Sequence, residues 1–462
     1  MQTLDYSIIV VYLVILLALG FWRRVNSSGD SAELILGGRL LTLPAFIASL
    51  VSTWYGGILG VGEYSYRYGL SNWIVFGLPY YLAAFIFAIF LARKARESRV
   101  TTIPEKLANV YGEKTALAGS FIIYFMTVPA AYILMLGVLG EKLFGWPLWL
   151  GILAGSLFSV IYVFSGAFKS VVRTDILQFA LMFIGFAVLL AMLVSRYGGF
   201  EYLDSNLPAS HLTWSGGNSH WYIASWYVIA LATLIEPAFF QRCYAARTPA
   251  IARNGIFISI ACWAVFDFLT TFCGLYARAV LPNLSDPVAS YPALAVQVLP
   301  TGLLGLFALT LLATVMSTVD SYSFLAASTF GNDIIPRLLK RRKHSVIYFT
   351  RIGLFISTVM AVVLALFFRS VVDIWHIFGS IGTPALLLPV FISFVSKKKM
   401  PPGYALTSII VCGLVSLLWY LSKYMRVDSD YFLGFEPIFP GLALSIIILL
   451  LFLSMQNRKP AE

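Results

Sequence analysis

Three features of the sequence predict an all-α polytopic membrane protein with about thirteen transmembrane helices. The 462 residues are 60% hydrophobic and only 11% charged, whereas ordinary soluble domains carry about 25% charged residues. Apolar stretches of about 20 residues, the length that crosses a bilayer, recur along the whole chain. Lys and Arg concentrate in alternate connecting segments, as they do in the cytoplasmic loops of membrane proteins.

The first predicted span runs from Tyr6 to Trp22 and is followed by Arg23 and Arg24. A cleavable signal peptide would carry its positive charge before the apolar run, so we interpret this segment as a true span. Each later span is a similar apolar run with few internal charges. The predicted spans lie near residues 5–22, 43–62, 72–92, 116–139, 147–165, 172–195, 221–240, 254–277, 302–330, 350–368, 371–395, 403–422 and 437–455.

The distribution of positive charge predicts the orientation. If the N-terminus lies outside and the C-terminus in the cytoplasm, most of the 32 Lys and Arg residues fall on the cytoplasmic side of a cell membrane. This explains the net charge of +11 without nucleic-acid binding, because the basic residues are dispersed over short loops. The cytoplasmic set comprises Arg23, Arg24, Arg39, the basic residues from Arg93 to Lys114, Lys169, Arg173, Arg242, Arg247, Arg253, the basic residues from Arg337 to Arg351, Lys397 to Lys399, Arg458 and Lys459.

Two spans have interrupted sequences at matching positions, which predicts an inverted repeat. Glycines at 56, 57, 60 and 62 interrupt the second span, and Glu236-Pro237 interrupts the seventh. Because the seventh span comes five spans after the second, the two helices run in opposite directions. We expect one transmembrane domain, 1–462, with repeats at 43–195 and 221–395 and peripheral helices at 5–22, 403–422 and 437–455. The alternative is that the glycines only allow close helix contacts.

The ninth span carries hydroxyl side chains on one face. Thr314, Ser317, Thr318 and Ser321 are three or four residues apart, and Asp320 lies among them. A carboxylate at membrane depth usually marks an ion or substrate path. Hydroxyl and carbonyl oxygens are the hard ligands that a small cation prefers. The alternative is that the hydroxyls bond back to the preceding helical turn.

A second carboxylate, Asp175, lies at the start of the sixth span, after Lys169 and Arg173. It either stabilises the N-terminus of that helix or belongs to a functional site. In the predicted topology, Asp175 and Asp320 both lie in the cytoplasmic half of the membrane.

Four segments together resemble the sodium/solute symporter family: "STWYGGILGVGEYSYRYGLS" (52–71), "SGAFKSVVRTDILQF" (165–179), "PAFFQRCYAAR" (237–247) and "ATVMSTVDS" (313–321). The resemblance covers most of the predicted spans. It implies a LeuT-like core of two inverted five-helix repeats, with Na⁺ as the coupling ion between the second and ninth spans. The sodium ligands that it implies are the carbonyls of Leu50, Thr53 and Thr314 and the hydroxyls of Ser317 and Thr318.

Some members of the family resemble a two-sodium design. By that resemblance, Asp175 with Asp320 and Ser321 would form a second cation site or a proton site.

The solute is predicted only by class. The proline branch has an aspartate at the position that matches Ser52, and the sugar branch has a glutamate in the third span that "NWIVFGLPYYLAAF" (72–85) lacks. An amino acid or small carboxylate is therefore favoured over a sugar. The predicted walls of the solute site are Trp54, Tyr55, Gly57, Trp226 and Tyr227, although aromatic residues also anchor helices at membrane interfaces.

These observations predict a sodium-coupled secondary active symporter that imports a small polar organic solute by alternating access. A proton-coupled symporter on the same fold and a transporter-like membrane sensor are the alternatives. An enzyme is disfavoured because the chain has four histidines and no HExxH or GxSxG motif. The expected partners are the solute and the bilayer; neither nucleic acid nor an obligate protein partner is expected.

Overall fold

A computed structural model describes residues 1–21, 31–339, 346–368, 371–397, 400–425 and 431–457. The described chain is almost entirely helical and contains no β-strand, only an isolated bridge between Leu41 and Ala246. A helix pairs the N–H and C=O groups of its own backbone, and lipid offers these groups no other hydrogen-bond partners. The principal helices are Thr3–Phe21, Leu43–Trp54, Ile58–Tyr68, Leu78–Phe87, Glu113–Thr127, Ala130–Phe144, Leu148–Tyr197, His220–Ile229, Pro237–Ala245, Pro249–Val280, Leu303–Ser328, Val346–Phe368, Val371–Val395, Gly413–Met425 and Ile438–Asn457.

Shorter elements connect or extend these helices. The short α-helices are Ser31–Leu36, Arg93–Glu97, Ile103–Tyr111, Phe200–Asn206, Ser290–Val298, Ile335–Leu339 and Pro402–Thr407. The 3₁₀ turns are Gly37–Arg39, Tyr55–Gly57, Ala209–Leu212, Ala230–Ile235, Pro287–Ala289 and Phe432–Gly434. The π-helical segments are Trp73–Gly77, Ala88–Ala92, Thr329–Ile334 and Ser408–Cys412.

The all-α membrane fold is confirmed, whereas the number of spans stays a prediction. Among the described residues, 11 helical segments are long and apolar enough to cross a membrane. Two further predicted spans, the fifth and the last, correspond to the shorter apolar helices Leu148–Ile161 and Ile438–Ser454. The fifth and sixth spans meet at Ala167, where φ is 50° and ψ is −151°, so the backbone leaves the helical conformation there.

The centre of the bundle is the helix Leu303–Ser328, which is buried on every side from Phe307 onward. It packs most extensively against Leu148–Tyr197. The carboxylate of Asp5 accepts hydrogen bonds from the backbone N–H groups of Gly302 (2.7 Å) and Gly305 (2.9 Å), which otherwise lack partners at a helix N-terminus. The predicted hydroxyl face of this helix is therefore held inside the protein.

Arg242 departs from the predicted distribution of positive charge over the loops. Arg242 is fully buried, so its assignment to a cytoplasmic loop is wrong. Several members of the predicted cytoplasmic set lie outside the described residues, namely Arg23, Arg24, the basic residues between 340 and 343, Lys398, Lys399, Arg458 and Lys459.

Candidate ion and solute site

The glycine-rich second span is interrupted in its middle. The helix Leu43–Trp54 tightens into the 3₁₀ turn Tyr55–Gly57, and a new helix starts at Ile58. Where the i to i−4 bonding pattern ends, the last carbonyls of the first segment are free to bond elsewhere. The same glycines also allow close contact, because a Cβ on Gly57 would lie 2.3 Å from the Trp375 ring. The glycines thus lie at an interruption of the helix and also permit a close helix contact.

Hydroxyls of the central helix reach the carbonyls at this interruption. Ser317 Oγ donates to the carbonyl of Ser52 at 2.7 Å, and Thr318 Oγ1 donates to the carbonyl of Thr53 at 2.7 Å. Ser317 Oγ also lies 3.3 Å from the Thr314 carbonyl. The Thr314 hydroxyl instead donates to the carbonyl of Thr310, one turn earlier. This is the bonding that the alternative interpretation predicted for all the hydroxyls on this face of the helix.

Four of the five residues predicted to bind sodium come together in this way: Thr53, Thr314, Ser317 and Thr318. Leu50 is buried one turn earlier on the same helix. The two hydroxyls contact Ser52 and Thr53, so the Ser52 carbonyl is a candidate ligand that the sequence did not reveal. The available signal was that Ser52 directly precedes Thr53 and lies shortly before the glycine pair Gly56-Gly57.

A buried arginine lies directly beside these oxygens. The Arg242 side chain donates from Nε to Ser49 Oγ at 3.1 Å, and from Nη2 to Thr53 Oγ1 at 2.9 Å and Ser321 Oγ at 2.6 Å. Its Nη2 also lies 3.5 Å from Asp175 Oδ2, and both side chains are 0% exposed. A buried charge of this kind is tolerated only when it is paired and hydrogen-bonded.

Arg242 therefore contacts two of the three residues predicted for a second cation or proton. Asp175 also accepts a hydrogen bond from Ser49 Oγ at 2.5 Å. Asp320 is fully buried on the central helix, one residue before Ser321. A guanidinium thus supplies positive charge at this cluster. It could not be predicted from the sequence, because Arg242 resembles an ordinary loop residue.

A cavity of about 410 Å³ lies on the other side of the interrupted helix. Four of the residues predicted for the solute site line this cavity: Trp54, Tyr55, Gly57 and Trp226. Tyr227 is not among the lining residues, although it packs against the same small cluster as Trp226, formed by Tyr64, Val75 and Ile223.

Aromatic rings from several helices form most of the cavity wall. Trp54 lies 5.6 Å from Tyr80 and 5.7 Å from Trp263, measured between ring centroids. Tyr132 lies 5.2 Å from Tyr322 and 6.0 Å from Trp375. These six rings, called here the aromatic wall, all line the same cavity.

Carboxylates accompany these rings. Glu236 Oε1 accepts a hydrogen bond from the Tyr322 hydroxyl at 2.9 Å, and Asp267 accepts hydrogen bonds from the hydroxyls of Tyr55 and Tyr81. Both acids line the cavity, and neither was predicted as a site residue.

The cavity reaches the protein surface near Glu63 and Arg67, which also line it. Arg67 Nη2 lies 3.1 Å from Glu63 Oε1, and the Arg67 side chain is 49% exposed. His376, another lining residue, pairs with Glu436 at 2.6 Å. Both basic side chains of the described lining are thus paired with acids.

The chain is similar in sequence to known transporters. A model of the sodium:solute symporter family matches residues 34–411. High-affinity choline transporter 1 of Drosophila melanogaster is 26% identical over 94% of this chain and 72% of its own length. A sodium/proline symporter of Staphylococcus aureus is 24% identical over 98% of this chain and 93% of its own.

Solved structures show the fold. A Na⁺-coupled sialic acid symporter in a substrate-bound outward-open state aligns with a TM-score of 0.79 at 20% identity, over 100% of this chain and 99% of the other. A nucleobase-cation-symport-1 family transporter aligns with a TM-score of 0.55 at 12% identity, over 91% and 94% of the two chains. The LeuT-like fold expected from the sequence is confirmed.

Proposed function

Because the chain belongs to the sodium:solute symporter family, we propose that its coupling ion binds where the Tyr55–Gly57 turn meets the helix Leu303–Ser328. The protein is a multi-pass membrane transporter that couples sodium to the symport of a small solute, and it is not an enzyme. The observation that supports the ion position is the pair of 2.7 Å contacts from Ser317 and Thr318 to backbone carbonyls of the interrupted helix.

The oxygens at this junction suit a small alkali cation. Carbonyls and hydroxyls are hard, uncharged ligands, and all of them are buried away from competing water. A sodium ion bound here takes the place of the two hydroxyl–carbonyl hydrogen bonds and joins the interrupted helix to the central helix. The remaining ligands that we propose are the carbonyls of Thr314 and Leu50. The Thr314 carbonyl lies close to Ser317 Oγ.

The ion position also provides a route for coupling to the solute. Trp54 and Tyr55 directly follow Thr53 and line the cavity, so a change in the backbone at Thr53 moves the cavity wall. Sodium and solute then raise each other's affinity by the same factor, typically by about 1–3 kcal/mol.

We propose one sodium ion per cycle. Arg242 already contacts both Asp175 and Ser321, so its guanidinium occupies the place that a second cation would need. This arrangement favours sodium coupling over the proton-coupled alternative at Asp175, Asp320 and Ser321.

The repeat and the orientation are also proposals. The segment His220–Ile229, the 3₁₀ turn Ala230–Ile235 and the helix Pro237–Ala245 are interrupted in the same manner as the second span. This likeness supports repeats at 43–195 and 221–395, and the alternation of basic loops supports an N-terminus outside. In that orientation the cavity mouth at Glu63 and Arg67 faces outward, and import proceeds by rocking of the repeats.

The proposal is tested by titrating sodium against potassium into purified protein and following melting temperature and tryptophan fluorescence. We expect saturable, sodium-specific stabilisation that fits a single site. Ser317→Ala and Thr318→Ala should weaken sodium affinity at least about tenfold, a loss of about 1.4 kcal/mol. Ser328→Ala is the matched control, since this buried serine of the same helix bonds only to its own backbone at Leu325.

Two results would argue against the site. Wild-type sodium affinity in both hydroxyl variants would remove the ion from this junction. Solute binding without sodium-driven accumulation in proteoliposomes would favour the sensor alternative.

A further inference from the structure

We propose that the transported solute is a small organic cation, with an alkylammonium head group held by the aromatic wall and by the negative charge of Glu236 and Asp267. This inference rests on the proposed function, since it assigns a substrate class to the cavity beside the ion site. It differs from the amino acid or small carboxylate that the sequence favoured.

The aromatic wall is suited to an ammonium group. Trp54, Tyr80 and Trp263 form one set of adjoining rings, and Tyr132, Tyr322 and Trp375 form the other. A cation over an aromatic face gains about 0.5–1 kcal/mol at exposed sites and about 2 kcal/mol when desolvated, and such cages recognise quaternary ammonium groups. A neutral apolar group of the same size gains no such electrostatic attraction.

Each set of rings has a carboxylate next to it. Glu236 accepts from Tyr322 in one set, and Asp267 accepts from Tyr55 and Tyr81, next to the other. A phenol that donates its hydrogen to a carboxylate becomes more electron-rich, which strengthens the attraction of its ring for a cation. Acidic side chains within a transmembrane bundle usually mark the path of an ion or substrate.

The charge of the lining disfavours anions and zwitterions. In the described lining, Arg67 is paired with Glu63 and His376 with Glu436, whereas the two remaining carboxylates, Glu236 and Asp267, form no salt bridge. A bound carboxylate solute would meet Glu236 and Asp267 with no unpaired basic side chain in that lining. A buried charge that lacks a partner is expensive.

The cavity volume limits the solute to a small molecule. About 410 Å³ is near the lower end of ordinary ligand cavities, which span roughly 300–1,000 Å³. A head group with a few methyl groups and a short polar tail fits this space, and the phenol hydroxyls of Tyr80 and Tyr132 lie in the same wall.

The decisive experiment compares three probes of similar shape in sodium buffer: choline, its neutral carbon analogue 3,3-dimethylbutan-1-ol, and the zwitterion glycine betaine. Binding to the purified full-length protein is followed by tryptophan fluorescence and melting temperature. We expect choline to bind at least about tenfold tighter than either of the other two, which corresponds to about 1.4 kcal/mol. Equal binding of choline and its neutral analogue, or tighter binding of the zwitterion, overturns the inference.

Variants connect the preference to the named residues. Glu236→Gln should lower choline affinity at least about tenfold while changing that of the neutral analogue far less. Tyr132→Leu should cost more affinity than Tyr132→Phe, which keeps the ring. Glu201→Gln, an exposed acid outside the cavity, is the charge-matched control. Equal losses for charged and neutral probes in Glu236→Gln contradict a role for its charge.

The same measurements separate the two proposals. A sodium response without a preference for choline overturns the substrate class and leaves the ion site standing. A preference for choline that is equal in sodium and potassium overturns the coupling site and leaves the substrate class standing.

Discussion

Gly56 lies so close to Thr318 that a Cβ at position 56 would stand 2.2 Å from Thr318 Oγ1. The glycine therefore determines how near the interrupted helix can come to the hydroxyls of the central helix. This contact, more than the flexibility of glycine, explains its presence next to the proposed ion site.

Gly56→Ala should separate the two helices and weaken the sodium response at least about tenfold. In a helix interior, alanine normally stabilises the protein by about 0.5–1 kcal/mol relative to glycine. A weaker sodium response in Gly56→Ala would therefore have to come from the disturbed contact with Thr318. Gly60→Ala is the control on the same segment, because its Cβ would lie 3.5 Å from the Trp375 ring, an ordinary contact distance. Equal sodium affinities in the two variants would contradict this account.

The fold and the ion junction could be predicted because both leave local signals. Apolar runs define helices, and the hydroxyls of the ninth span repeat at helical spacing beside Asp320. The pattern of basic loops assigned Arg242 to a loop, because the sequence does not distinguish a buried arginine from an exposed one. Its partners Asp175, Ser49 and Ser321 are apparent only in the folded protein. That neighbourhood combines four distant segments of the chain.

The solute cavity could be predicted only in part for a similar reason. Trp54 and Tyr55 were found because they adjoin the glycine pair. Tyr80, Tyr132, Trp263 and Trp375 come from four other helices, and no spacing in the sequence relates them. Asp267 sits in a span whose interior gave no motif, so its link to Tyr55 and Tyr81 emerges only from the packing.

Arg242→Gln should strongly destabilise the protein, because it leaves the buried Asp175 without its cation. Breaking a buried ion pair from one side typically costs about 3–5 kcal/mol. The double variant Arg242→Gln with Asp175→Asn should recover part of this loss, as thermal unfolding in one detergent would show. Arg247→Gln is the control, since Arg247 is exposed, and surface changes usually stay within about 0.5 kcal/mol. No recovery in the double variant would mean that the two charges act separately.

The orientation can be tested by cysteine labelling in intact cells. Glu201 and Lys114 are both exposed and lie on opposite sides of the membrane in the predicted topology. A membrane-impermeant maleimide should label Glu201→Cys in intact cells and Lys114→Cys only after permeabilisation. The unmodified protein gives the background, as three of its four cysteines are buried. The reversed pattern would place the N-terminus in the cytoplasm.

Trp226 and Tyr227 are adjacent aromatic residues that pack against the same small cluster, but only one of them lines the cavity. Trp226 is the lining residue, and it packs edge-on against Phe76 at 4.6 Å. Trp226→Leu should reduce sodium-driven solute uptake at least about tenfold, and Tyr227→Leu should reduce it much less. Uptake is normalised to the amount of protein in the membrane. A larger loss for Tyr227→Leu would place the solute site on the other face of this helix.

Stability should fall on acidification because of His211, which lies in the 3₁₀ turn Ala209–Leu212 between two spans. Burial lowers the pKa of His211 below its usual value, and nearby Arg278 acts in the same direction. Its Nε2 lies 3.0 Å from the Tyr66 carbonyl, while Nδ1 has no hydrogen-bond partner among the described residues. Because the unfolded chain binds the proton more readily, the stabilisation is present above about pH 6.5 and is lost as the pH falls through the folded-state pKa.

His211→Gln keeps a donor for Tyr66 but cannot titrate, so its melting temperature should fall less than that of the wild type between about pH 7.5 and 5.5. Parallel pH curves for the two proteins would assign the acid sensitivity to other groups.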